Sequence, residues 1–115
     1  MTQTPLSHAI LLALADQDRH GYAILKEIER QSEGRLRTGT GTLYAALQRL
    51  TDDGLIAEAP ESAEPDDDPR RRYYRLTAEG RSEAAEETRR LARLVQVAGE
   101  KNLVPGLRLI GLADE

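Results

Sequence analysis

Two segments constrain this chain more than any others. Residues 39–56 read GTGTLYAALQRLTDDGLI, with Leu43, Leu47 and Leu50 spaced to fall on one face of a helix. Glycine suits the left-handed position just past a helix end, so Gly54 marks the end of that helix. Leu55-Ile56-Ala57-Glu58 then starts a strand. Residues 70–80 read RRRYYRLTAEG: a second strand from Arg72 to Leu76, then Thr77 as the N-cap of another helix. Residues 61–69 between the strands are rich in Pro, Ser and acids, which makes them a loop.

Helix, strand, polar loop, strand, helix is the order of a winged helix. The predicted fold is mainly α with a small β-wing: a winged helix-turn-helix over residues 1–77, followed by a C-terminal helix over 78–102 and an apolar tail over 103–115.

The remaining elements fit that plan. Thr4 and Pro5 open a first helix as N-cap and first helical residue. Its run Ile10-Leu11-Leu12-Ala13-Leu14-Ala15 is apolar on every side. Such a helix is either the central core helix or gives one face to a second subunit, and Ile10, Leu11 and Leu14 are the candidates for that face. Asp16 to Arg19 form a polar connection. A second helix runs from about Gly21 to Gln31, with Gly21, Ile24, Leu25 and Ile28 inward and Tyr22, Lys26 and Glu29 outward. Gly34 stops it. The third helix is expected over Thr40–Asp53. In the last helix Ala84, Thr88, Leu91, Val95 and Ala98 form a weak heptad seam suited to dimerisation. Leu103, Val104, Leu107, Leu109, Ile110 and Leu112 make the tail too apolar for a solvated end, so it is expected to pack on the fold or on a partner subunit.

Composition narrows the function. The 115 residues suffice for one modest core, and with 3% aromatics and neither Trp nor Phe that core rests on Leu, Ile, Val and Ala. Charged residues make up 31%, and no apolar run approaches the roughly 20 residues of a membrane helix. No secretory leader is recognisable, so the expected location is cytoplasmic. Without cysteine there are no disulfides or thiolate metal sites. The net charge of -4 is unlike that of a nucleic-acid binder, but its distribution is not. Arg30, Arg35, Arg37 and Arg49 surround the third helix, and Arg70, Arg71, Arg72 and Arg75 flank the second strand. The acids gather in the loop and in the last helix.

A winged helix most often binds DNA, and the third helix carries what base reading requires. Gly41 and Ala45 have almost no side chain, which permits close approach to the major groove. Gln48 can make paired hydrogen bonds to adenine. Thr40 and Thr42, preceded by Arg37 and Thr38, place hydroxyls and free N–H groups where a phosphate would sit. Tyr44 offers a phenol, and Arg49 and Lys26 can neutralise phosphates.

HGYAILKEIE (20–29), GTLYAALQRLTDDGLI (41–56) and RRYYRLTAEGR (71–81) together resemble the PadR family of winged-helix repressors, in order and in spacing, across about the first four-fifths of the chain. The single short C-terminal helix is similar to that of the family's small subclass. The resemblance implies a homodimer on a palindromic operator, with one recognition helix per half-site. It places Tyr22 and Lys26 near the DNA backbone, Gly41, Thr42 and Tyr44 at the start of the recognition helix, and Arg70, Arg71 and Arg72 beside the DNA. Two features depart from the family. Gly39-Thr40 replaces a Ser-Pro-like pair, and Asp66-Asp67-Asp68 would make the wing tip repellent to phosphate.

Other readings carry less. His8 and His20 are too far apart for a metal site, and the acidic run suits a solvated loop. No nucleophile–base pair or phosphate-binding loop stands out, so an enzyme is not expected, nor is a cofactor. A protein-interaction module built on the same fold is the main rival. A repressor gated by an unidentified small molecule at the dimer interface is another, although without Trp or Phe only tyrosines could stack on a ligand.

Overall fold

The computed structural model describes residues 3–59 and 72–106. The chain divides into two compact units, Met1–Ala84 and Ala85–Glu115. The first contains α1 (Pro5–Ala13), β1 (Arg19–His20), α2 (Gly21–Gln31), α3 (Thr40–Asp52), β2 (Ile56–Ala59), β3 (Tyr73–Leu76) and the start of α4 (Ala78–Glu100).

Each helix begins where a side chain accepts from one of its free N–H groups, α3 excepted. Thr4 Oγ1 accepts from Ser7 N at 3.0 Å, with Pro5 as the first helical residue. His20 Nδ1 accepts from Ala23 N at 3.1 Å. Thr77 Oγ1 accepts from Gly80 N at 3.0 Å and donates to the carbonyl of Gly54 at 2.7 Å, joining the start of α4 to the end of α3. The α3 terminus is as its sequence predicts. Gly54 takes φ +79°, Leu55 N donates to Leu50 O, and Gly54 N donates to Thr51 O, so the last carbonyls are satisfied and the chain turns into β2. α2 closes in the same way, but Glu33 (φ 54°) takes the first left-handed position, ahead of Gly34 (φ 80°).

The sheet is three-stranded and antiparallel, in the order β1-β3-β2. Ile56 pairs with Leu76 and Ala59 with Tyr73, while Arg19 pairs with Tyr74 and His20 with Tyr73. β1 lies at the end of the segment expected to be a plain polar connection. Two residues are too short to show an alternating pattern, and only their partner strand reveals them.

Ile10, Leu11, Ile24, Ile28, Leu43, Leu47 and Ile56 are fully enclosed in the core of the first unit, each contributing about 1.5–3 kcal/mol on burial. This corrects one expectation. Ile10, Leu11 and Leu14 are 0%, 0% and 3% exposed in the single chain, so they have no surface left to give to a second subunit. α1 is the central core helix, and Leu12, 44% exposed, is its one large outward apolar side chain. Ala84 is buried as well.

In the second unit, α4 runs on to Glu100 and exposes Leu91, Leu94 and Val95, as does the following segment Leu103 and Val104. Thr88 is exposed and Ala98 half-buried. Among the described residues no helix is long and apolar enough to cross a membrane. The segment expected to be the wing loop, with Arg70, Arg71 and Asp66–Asp68, lies outside the described residues, as does the tail beyond Gly106.

Candidate nucleic-acid interface

Burial of Leu43, Ala46, Leu47 and Leu50 fixes which side of α3 faces out. At about 100° per residue the opposite side carries Gly41, Ala45, Gln48 and Asp52, all exposed. This ridge has no large apolar side chain. A Cβ added at Gly41 meets nothing within 4 Å, so the N-terminal half of the ridge is open backbone.

The α3 N-terminus is bare. Gly39 is its N-cap and provides no side-chain hydrogen bond, the direct consequence of Gly39-Thr40 standing where the resemblance expects a Ser-Pro-like pair. Thr40, Gly41 and Thr42 are exposed there. Their free N–H groups and the positive end of the helix dipole face solvent, a setting that favours an anion. Arg37 lies just before, its Nε donating to Gly34 O at 3.3 Å, and the half-buried Thr38 donates its hydroxyl to Gly39 O at 3.3 Å.

α2 presents Tyr22, 59% exposed, with the Lys26 ammonium 5.4 Å from its ring centre and 3.9 Å from Glu29. Tyr44 reaches from α3 across to the first residue of α2, where its hydroxyl end lies against Gly21. That contact leaves the ring 46% exposed and ties the two helices together.

Two expected contacts are not simply free on the ridge: one lies off it and the other is already bonded. Arg49 lies about 100° around α3 from Gln48. It lines a recess of about 450 Å³ that also includes Asp53, Glu79 and Glu83. Arg49 therefore faces an acidic flank. Gln48 is on the ridge, but its amide is engaged: Nε2 donates to Asp52 Oδ1 at 2.9 Å. The sequence sets the two at i, i+4, the spacing at which a Gln–Asp hydrogen bond forms along a helix, and that spacing is the signal for the bond.

On the strands, Arg72 is exposed and 3.9 Å from Glu58, and Arg75 is exposed. The tyrosines split as their alternation along the strand requires. Tyr74 is 6% exposed in the core, and burial, followed by the nearby Glu58, pushes its hydroxyl pKa up. Tyr73 is half-buried and meets the His20 ring edge-on at 5.3 Å. Below the interface, Glu27 bonds Arg30 and lies 3.8 Å from Arg19. The hydrogen bond from Arg30 is the main reason its carboxyl titrates below the ordinary value.

A helix with an exposed polar ridge, held by two other helices and followed by a short antiparallel ribbon, defines the winged helix-turn-helix class. A family model described as the transcriptional regulator PadR-like family matches residues 10–86. The chain belongs to the PadR-like family of transcriptional regulators.

Among its relatives, a transcriptional regulator of Mycobacterium tuberculosis is 36% identical over 87 residues, covering 76% of either chain. A 37.1 kDa protein of a transposon from Streptomyces fradiae is 42% identical over 85 residues, covering 74% of this chain. The match spans only 22% of that larger relative. Among solved structures, a PadR family transcription regulator of Clostridium difficile superposes with a TM-score of 0.69 at 27% identity, over 83% of this chain and 95% of that one. Bacillus subtilis PadR, solved in complex with operator DNA, superposes with a TM-score of 0.60 at 24% identity, over 72% of this chain and 46% of that one.

Proposed function

We propose that this protein is a sequence-specific DNA-binding repressor that acts as a homodimer on a palindromic operator, with α3 entering the major groove of each half-site. The observation that carries this reading is the α3 ridge of Gly41, Ala45 and Gln48: solvent-facing, free of large apolar side chains, and beginning at an uncapped helix N-terminus. A groove-reading helix needs close backbone approach and a few polar side chains at base edges, which is what this ridge offers. Thr38, Thr40, Thr42, Arg37, Tyr22 and Lys26 surround it with phosphate-directed groups, and Arg70, Arg71 and Arg72 would add to them from the wing. Tyr44 holds the helix in place while keeping part of its ring exposed. The operator complex of the Bacillus subtilis relative is consistent with this use of the fold.

Dimerisation is assigned to residues 78–102, through Leu91 and Val95 with Thr88 and Ala98 beside them. The exposure of Leu91, Leu94 and Val95 on one stretch of α4 supports this, since a helix gains by covering such a stripe. Residues 1–77 bind DNA. The regulator works in the cytoplasm without a cofactor.

The test is binding of the full chain to genomic fragments, including its own promoter, at two salt concentrations. Tight, sequence-selective and salt-sensitive binding is the expected result. A folded dimer that binds no fragment would overturn the reading in favour of a protein-interaction module.

A further inference from the structure

The α3 ridge ends in an acid that bonds the ridge's amide, an i, i+4 Gln–Asp pair that itself supports a helix. Asp52 is the last residue of α3, where the negative end of the helix dipole disfavours a carboxylate. On a surface meant for phosphates, its charge is repulsive as well. What it does is hold Gln48: Nε2 donates to Asp52 Oδ1 at 2.9 Å across one helical turn.

A carboxylate can only accept, so the amide atom facing Asp52 is the nitrogen, and the amide cannot flip without placing oxygen against oxygen. The same repulsion turns Oε1 away from Asp52. One Nε2 hydrogen is then committed to Asp52, while Oε1 and the other hydrogen remain together on the free edge of the amide. That edge presents an acceptor and a donor in fixed order. In the major groove, adenine offers the complement, the N6 donor beside the N7 acceptor. Guanine offers two acceptors, O6 and N7, and would set Oε1 against O6.

We infer that Asp52 is a positioning residue for base readout: it locks the Gln48 amide in the orientation that accepts adenine and rejects guanine. This inference rests on the reading that α3 enters the major groove. Holding the side chain in one rotamer also spares part of the ordering cost on binding, so the pair exchanges some general attraction to DNA for selectivity at one base pair.

The experiment selects binding sites from a randomised duplex library with the full-length chain. It compares the wild type with Gln48→Ala, Asp52→Ala and Asp53→Ala. The last removes the same charge from the neighbouring exposed residue, which lines the flanking recess. The wild type should select adenine at one position of each half-site, and Gln48→Ala should erase that preference. Asp52→Ala should reduce the adenine-over-guanine preference roughly tenfold, within the range of one bidentate contact, and at the same time tighten binding to unrelated duplex. Asp53→Ala should leave the preference intact. The opposite movement of selectivity and general affinity is what a purely structural or purely repulsive Asp52 would not produce. An adenine preference that survives Asp52→Ala, or that falls equally in Asp53→Ala, overturns the inference, and so does selection that ignores Gln48. A wild type that selects no sequence at all overturns the groove reading of α3 itself and takes this inference with it.

Discussion

Tyr44 of α3 lies so close against Gly21 that a Cβ added at Gly21 would overlap the phenol, with Cζ at 2.7 Å and the hydroxyl oxygen closer still. Two glycine- and tyrosine-containing motifs more than twenty residues apart are thus the two halves of one contact. It sets the distance between the first turn of α2 and the outward flank of α3. Gly21→Ala should cost about 1 kcal/mol, because the atoms in its way are the far end of a side chain that can swing aside. The displaced ring should also become more exposed. In a Tyr44→Ala background the same substitution should cost almost nothing, and a double-mutant cycle in denaturant measures the difference. Equal costs in both backgrounds would disprove the contact.

Gly80 is tight for a different reason. An added Cβ would run into the backbone carbonyl of Leu55, whose carbon is 2.9 Å away, and into Leu76 Cδ1 at 2.8 Å. Backbone cannot swing aside. Gly80→Ala should therefore cost about 3 kcal/mol or more, the upper end of overpacking penalties, and trimming Leu76 to alanine should not restore it. Thermal or urea unfolding of Gly80→Ala, Leu76→Ala and the double variant distinguishes this from the yielding contact at Gly21.

Glu33 holds φ 54° in the turn after α2, a conformation that costs a residue with a Cβ about 1–2 kcal/mol. Glu33→Gly removes that strain but loosens the unfolded chain, so a net gain of about 0.5–1 kcal/mol in unfolding free energy is expected. A loss of stability would mean that Glu33 makes a contact that outweighs its backbone strain.

The starts of α1 and α4 and the end of α3 were legible because Thr4, Thr77 and Gly54 act through their own local chemistry. The spacing of Leu43, Leu47 and Leu50 was legible because it maps directly onto one helix face. β1 was not, since two residues define a strand only through their pairing with Tyr73 and Tyr74. The role of α1 is not legible, because an all-apolar helix reads alike whether its second face meets its own domain or another chain. The left-handed Glu33 is not legible, since glycine is the usual signal for that conformation and Gly34 stands beside it. On the candidate site, the 100° spacing places Gln48 on the ridge, and the hydrogen bond of its amide is legible only when Gln48 and Asp52 are weighed together as an i, i+4 pair.

The Glu27 carboxyl titrates below the ordinary value of 4.5, chiefly through its hydrogen bond from Arg30. A carboxylate whose pKa is lower when folded stabilises the fold above its unfolded pKa, and that stability is lost as pH falls through the folded value. Glu27→Gln should therefore lower stability near neutral pH by less than about 1 kcal/mol, since Arg30 is largely in solvent. The gap to the wild type should close as pH drops below about 4.5. Unfolding curves at pH 7 and pH 3.5 provide the check, and a gap that widens in acid would contradict the assignment.

Gln48 and Lys26 should separate reading from attraction. Gln48→Ala removes the one amide on the ridge and leaves charge unchanged, so operator affinity should fall by about 1–3 kcal/mol while unrelated duplex binds as before. Lys26, its ammonium half in solvent above Tyr22, carries a charge that does not depend on base identity. Lys26→Ala should weaken operator and unrelated duplex alike and reduce the salt slope by about one ion per chain. Titrations at several salt concentrations measure both quantities on the same samples. If Lys26→Ala altered selectivity while the salt slope stayed constant, α2 would be reading the groove and the division of labour between the two helices would be reversed.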